Sequence, residues 1–144
     1  MHLALTADRR FWGEASEILY LGEWCKLYQE TRIRPQCAGT TLPYHWDDRA
    51  RYERDSKMLQ QLSLEFMPVL SRALNRLHST QHSEDFWRIL IGPWVNSFVP
   101  VLYDRYLSLR AAKSDGRVSE VLIESGGGRN WPVRDTLQFF VEVS

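Results

Sequence analysis

Apolar positions change rhythm along the chain. "HLALT" and "EILYLG" are short apolar runs closed by charged residues or glycine, and they predict strands over 2–6 and 17–22. Pro35, Gly39 and Pro43 then punctuate a stretch that reads as a loop with one helical turn. From Asp47 or Asp48, either of which can cap a helix, the pattern becomes helical. Met58, Leu59, Leu62, Phe66, Val69, Leu70, Ala73, Leu74 and Leu77 supply the apolar positions up to about His78. Charge pairs at i,i+4 such as Arg49/Glu53 and Arg51/Asp55 support the first turns. Pro68 should kink this helix, because its ring clashes with the preceding turn and it has no amide to donate.

Ser83, followed by Glu84 and Asp85, opens a second helix to about residue 113. Two apolar stripes run along it. One holds Phe86, Leu90, Trp94, Phe98, Leu102 and Tyr106, the other Trp87, Ile91, Val95, Val99 and Tyr103. Side by side, they predict a helix buried over much of its circumference. A membrane span needs about twenty uninterrupted apolar residues. Arg88 and Asp104 bracket only fifteen, with Asn96 among them, so a core helix is expected. Pro93 and Pro100 free the carbonyls of Ile89 and Asn96, which predicts a kinked, buried helix around a cavity. After the "KSDG" turn, "RVSEVLIES" is a strand candidate over about 118–124. "GGGRN" reads as a turn, and another helix is expected to begin near Asp135. The order of short strands, two long packed helices and a strand gives an α/β fold class in a single domain.

Bulk properties narrow the classes. The 144 residues are 44% hydrophobic and 25% charged, which suits one globular domain. Eighteen basic residues balance eighteen acidic ones, so no overall charge favours nucleic acid or an anionic bilayer. Six tryptophans point to heavy aromatic packing or stacking surfaces. Cys25 and Cys37 lack metal-ligand spacing and read as two thiols of a reducing compartment. "MHLALTADRRFW" has none of the three parts of a signal peptide, so a cytoplasmic location is expected.

"PYHWDDR" is the densest group of reactive side chains. His45 suits a general base near neutral pH, and Asp47 or Asp48 could orient it or bind a divalent metal. The same residues also make an ordinary helix start, with an Asp cap, a solvated Arg49 and aromatic rings closing a loop. Arg88, between tryptophans, suits a phosphate or carboxylate, or an ion pair with Asp85. Asp104 and Arg105 are neighbours about 100° apart on a helix, so one of them should be a surface or ion-pair residue. "ESGGGRN" could cradle phosphate but lacks P-loop and dinucleotide spacing. His78 and His82 have no third ligand, and no metal or cofactor is expected.

"LALTAD", "LYLGEWC", "YHWDDR", "LNRLHSTQHSEDFWRILIGPWVNSFVPVLYDRY" and "VRDTLQFF", in that order, resemble the N-terminal part of a family of transferases of lipopolysaccharide O-antigen biosynthesis first defined in leptospires. The resemblance runs from about Leu3 to Phe140. Members are much longer, so it implies an N-terminal fragment, lobe or truncated copy. It also implies a glycosyltransferase-like enzyme working on a nucleotide-sugar or similar donor and a polysaccharide precursor. On that reading His45, Asp47 and Asp48 are the catalytic candidates. Tyr44, Trp46, Arg49, Trp87, Arg88, Trp94, Asp104 and Arg105 are the substrate-binding candidates. Two alternatives stay open: a non-enzymatic helical interaction module, and a nucleotide-binding regulator using the glycine run. No nucleic acid and no integral membrane segment are expected. Self-association is expected through the apolar run that ends the chain at "FFVEVS".

Overall fold

A computed structural model describes residues 1–8, 12, 17–26 and 38–123. Four short strands, β1 (His2–Ala4), β2 (Glu17–Tyr20), β3 (Ala38–Thr41) and β4 (Glu120–Val121), form one sheet in the order β3-β2-β1-β4. Every pairing is parallel, with His2 opposite both Ile18 and Glu120, and Glu17 opposite Ala38. Leu3, Ala4, Ile18, Leu19 and Tyr20 are buried. That is why β1 and β2 read as continuous apolar runs rather than alternating ones.

The α/β class holds. The strands are shorter than 2–6, 17–22 and 118–124. The glycine run, Cys37 and the helix expected near Asp135 lie outside the described residues. β3 falls in a stretch read as loop. Its Gly39 lies beneath the ring of Tyr20, where a Cβ would sit 2.2 Å from a ring carbon. The glycine that hides the strand from a propensity reading is what lets it pair there.

The two long helices are α1 (Arg49–His78) and α2 (Glu84–Asp115). Asp48 caps α1, its Oδ1 accepting from the amides of Ala50 and Arg51. Ser83 caps α2 by accepting from the Phe86 amide. Ser79 ends α1 in the left-handed region, and Gly116, with φ of 73°, follows α2. Both helices run unbroken through Pro68, Pro93 and Pro100. The carbonyls these prolines free belong to Leu64, Ile89 and Asn96, all exposed residues, so each lies on a face open to water.

The chain divides into two compact units, one from Met1–Asp47 with the stretch from Arg105, the other from Asp48–Asp104. In the first, the buried core is the sheet with Trp12, Leu21, Cys25, Leu42 and Ala112 of α2. In the second, Met67, Trp87 and Val95 form the core, with Leu70, Leu74, Ile91 and Val99 packed against it. α2 is therefore not buried over most of its circumference. Its Trp87/Val95 stripe is covered, while Phe86, Leu90, Trp94, Leu102 and Tyr106 of the other stripe are exposed. On α1 the buried row is Leu59, Ser63, Met67 and Ser71, whereas Met58, Phe66, Val69 and Leu77 face solvent. Ser63 and Ser71 fit an apolar seam because each hydroxyl donates to a carbonyl of its own helix, at Leu59 and Met67.

Candidate functional site

Open parallel sheets present the loops at the carboxyl ends of their strands as a ligand-binding edge. In the sheet's unit those loops carry the polar and aromatic side chains. After β1, Thr6 accepts the Trp12 indole N–H on its carbonyl at 2.6 Å. After β2, a single 3-10 turn, Glu23–Lys26, places Trp24 over Gly22, where a Cβ would come within 2.0 Å of the ring. The Arg105 guanidinium lies over the Trp24 ring, 4.4 Å from its centroid. After β3, Tyr44, His45 and Trp46 pack ring against ring, with centroids 4.7, 4.8 and 6.0 Å apart. The His45 Nε2 atom is buried.

Electrostatics in this unit centre on the turn after β2. Hydrogen bonds from Thr41 and then Lys26 hold the Glu23 carboxyl below its ordinary value. Lys26 reaches it at 3.0 Å and also lies over the Tyr20 ring. Burial pushes the Cys25 thiol up, and its Sγ donates to the Ala4 carbonyl.

The sequence-derived site residues divide between the units. Tyr44, His45, Trp46, Asp47 and Arg105 belong to the sheet's unit, where the first three come together. Asp48, Arg49, Trp87, Arg88, Trp94 and Asp104 belong to the helical unit. There Asp48 caps α1, and Arg49 pairs with Glu53 at 3.2 Å on a side chain that is 91% exposed. Arg88 pairs with Glu84 and, at 3.3 Å, with Asp85. The Trp87 indole donates to Asn75, and Trp94 stacks on Phe98 at 4.5 Å. The Asp104 Oδ1 is buried. His78 stacks on Trp87 and His82 on Phe86. Among the described residues, no group of His, Cys, Asp or Glu is placed to hold a metal ion, and no helix is long and apolar enough to cross a membrane.

Sequence reasoning missed Trp24 and Glu23. Their signal is positional, since "GEWCK" directly follows an apolar strand and so stands at the carboxyl edge of a parallel sheet.

In comparisons with known proteins, a family model described as LIC12162 family transferase matches residues 1–144. No curated protein and no solved structure matches the chain.

Proposed function

The chain belongs to the LIC12162 family of transferases, and we propose that it serves transfer of a sugar-type group from a nucleotide-sugar donor to a polysaccharide precursor of the lipopolysaccharide O-antigen. In this reading the enzyme is glycosyltransferase-like and cytoplasmic, and these 144 residues supply its N-terminal lobe. The observation that carries it is the carboxyl edge of the β3-β2-β1-β4 sheet. Ligands of open parallel sheets bind outside the carboxyl ends of the strands, and the loops after β2 and β3 carry Trp24 and Tyr44–Trp46 there.

The edge has the chemistry a nucleotide sugar needs. Arg105, steadied on Trp24, offers a delocalised cation for the diphosphate. Tyr44 and Trp46 offer ring faces for stacking a sugar or base. In transfer, the acceptor hydroxyl oxygen bonds to the anomeric carbon as that carbon's bond to the diphosphate oxygen breaks. The departing nucleoside diphosphate keeps the electron pair, and His45 takes the hydroxyl proton. Asp47, two residues on in the sequence, is assigned in this reading to balance the imidazolium. The step as proposed draws on neither Asp48, which caps α1, nor Arg49, Trp87 and Arg88, whose polar groups pair on a helix surface or bond Asn75.

Calorimetric titration of the longest natural form with a panel of nucleotide sugars tests the reading. A nucleoside diphosphate sugar should bind, Arg105→Ala should weaken it roughly tenfold or more, and His45→Ala should bind but not transfer. Failure of the whole panel to bind, or unchanged affinity in Arg105→Ala, would overturn it. The 144-residue chain alone should give no turnover above a His45→Ala control, since a transferase must hold donor and acceptor together and such clefts form between lobes.

A second reading, a helical interaction module, is favoured by the apolar side chains that the helical unit exposes.

A further inference from the structure

The helical unit buries one seam and leaves a second apolar surface beside it. α1 and α2 are joined by a short turn and packed through Met67, Trp87 and Val95, which makes them an antiparallel hairpin. An antiparallel pair is related by a twofold axis perpendicular to both helices. Residues displaced by the same offset from the seam on either helix therefore turn to the same side. One position before these seam residues the side chain is again large and apolar, Ala73 before Leu74 being the exception. Phe66 precedes Met67 and Val69 precedes Leu70, while Leu77 precedes His78, which stacks on Trp87. On α2, Phe86, Leu90 and Trp94 precede Trp87, Ile91 and Val95. These six share one face, and all six are exposed, Leu77 by 76% and Leu90 by 61%.

The area decides what such a face is for. At about 150–250 Å² per aromatic side chain, and less for the valine and leucines, the exposed parts amount to on the order of 500 Å² of apolar surface. That is near the upper end for a patch on a monomer, about 300–600 Å², and most of the ~800 Å² that one partner gives to a standard interface. The next row out sets the partner. Two positions before the seam stand Glu65 and Asp85, and Arg72 and Arg76. The rim thus carries both signs equally. An anionic bilayer or a nucleic acid would call for a basic rim, whereas a surface that meets its own copy needs both signs.

We propose that this face joins two copies of the chain, so that two hairpins pack into a four-helix bundle. The occupant is a second copy of the same face, with the six apolar side chains at its centre and the mixed charges at its edge. The self-association expected of the C-terminal run falls outside the described residues. The proposal does not depend on the donor-binding reading, because its test needs no ligand.

Sedimentation of the full chain over a range of concentrations should show a monomer–dimer equilibrium. Leu77→Glu and Leu90→Glu should each raise the dissociation constant roughly tenfold or more. Far-ultraviolet circular dichroism should stay unchanged, since both side chains are exposed in one copy. Leu64→Glu, which changes an exposed leucine away from this face, should dimerise like the parent. A monomer at every concentration would overturn the proposal, as would a Leu90→Glu protein that dimerises as tightly as the parent. A monomer that floats with neutral phosphatidylcholine vesicles would overturn it in favour of a lipid surface.

Discussion

The indole N–H of Trp87 donates to the side-chain oxygen of Asn75 at 3.0 Å, tying the start of α2 to the end of α1. The same oxygen accepts from the Thr80 hydroxyl and the His82 amide, and the Asn75 side-chain nitrogen donates to the His82 carbonyl at 2.8 Å. One amide thus satisfies both sides of the turn between the helices. Asn75→Ala should cost about 1–3 kcal/mol in chemical denaturation, because it leaves part-buried donors without a partner. Asn75→Asp keeps the acceptor and should cost less. Equal stability of all three proteins would show that the turn holds without this hub.

Gly39 sits under Tyr20, with 2.2 Å between its would-be Cβ and the ring. Gly39→Ala should displace the ring from its edge contact with Trp12 and cost about 1–3 kcal/mol, as overpacking does. Thermal unfolding reads the loss. An unchanged melting temperature would mean that Tyr20 yields freely.

Helix α2 tests the difference between an apolar residue and a buried one. Ile89 is 81% exposed, whereas Met67, across the seam on α1, is buried. Met67→Ala should cost about 2–5 kcal/mol, and Ile89→Ala should stay within about 0.5 kcal/mol of the parent. Denaturant midpoints at low protein concentration compare them. Comparable losses would mean that Ile89 is covered in solution.

Burial raises the Cys25 thiol above its ordinary value, so the folded chain keeps a proton that the unfolded chain loses first. The contribution to stability is full below the unfolded thiol's pKa, about 8.5. It is lost as pH rises from there through the folded value. A denaturation series from neutral to alkaline pH should therefore fall more steeply for the parent than for Cys25→Ala. Parallel pH curves for the two proteins would count against a raised thiol.

Locally encoded features were legible in the sequence. Asp48 and Ser83 announce the helix starts because their side chains cap amides two or three residues on. The strands β1 and β2 announce themselves because both faces are buried, which leaves no polar alternation. Family membership was also legible, in an ordered string of motifs from about Leu3 to Phe140, and the family model matches residues 1–144. Periodicity could not decide which of two adjacent apolar stripes a helix would bury. Phe66 and Met67 are both apolar, yet the partner helix covers Met67, and a row half made of serines lies against it. That choice belongs to the contact between α1 and α2, because burial is a property of two surfaces and a sequence window holds only one. Trp24 entered the candidate site for the same reason. Its neighbour Arg105 is far away in the chain, and only the folded sheet and helix put the guanidinium over its ring.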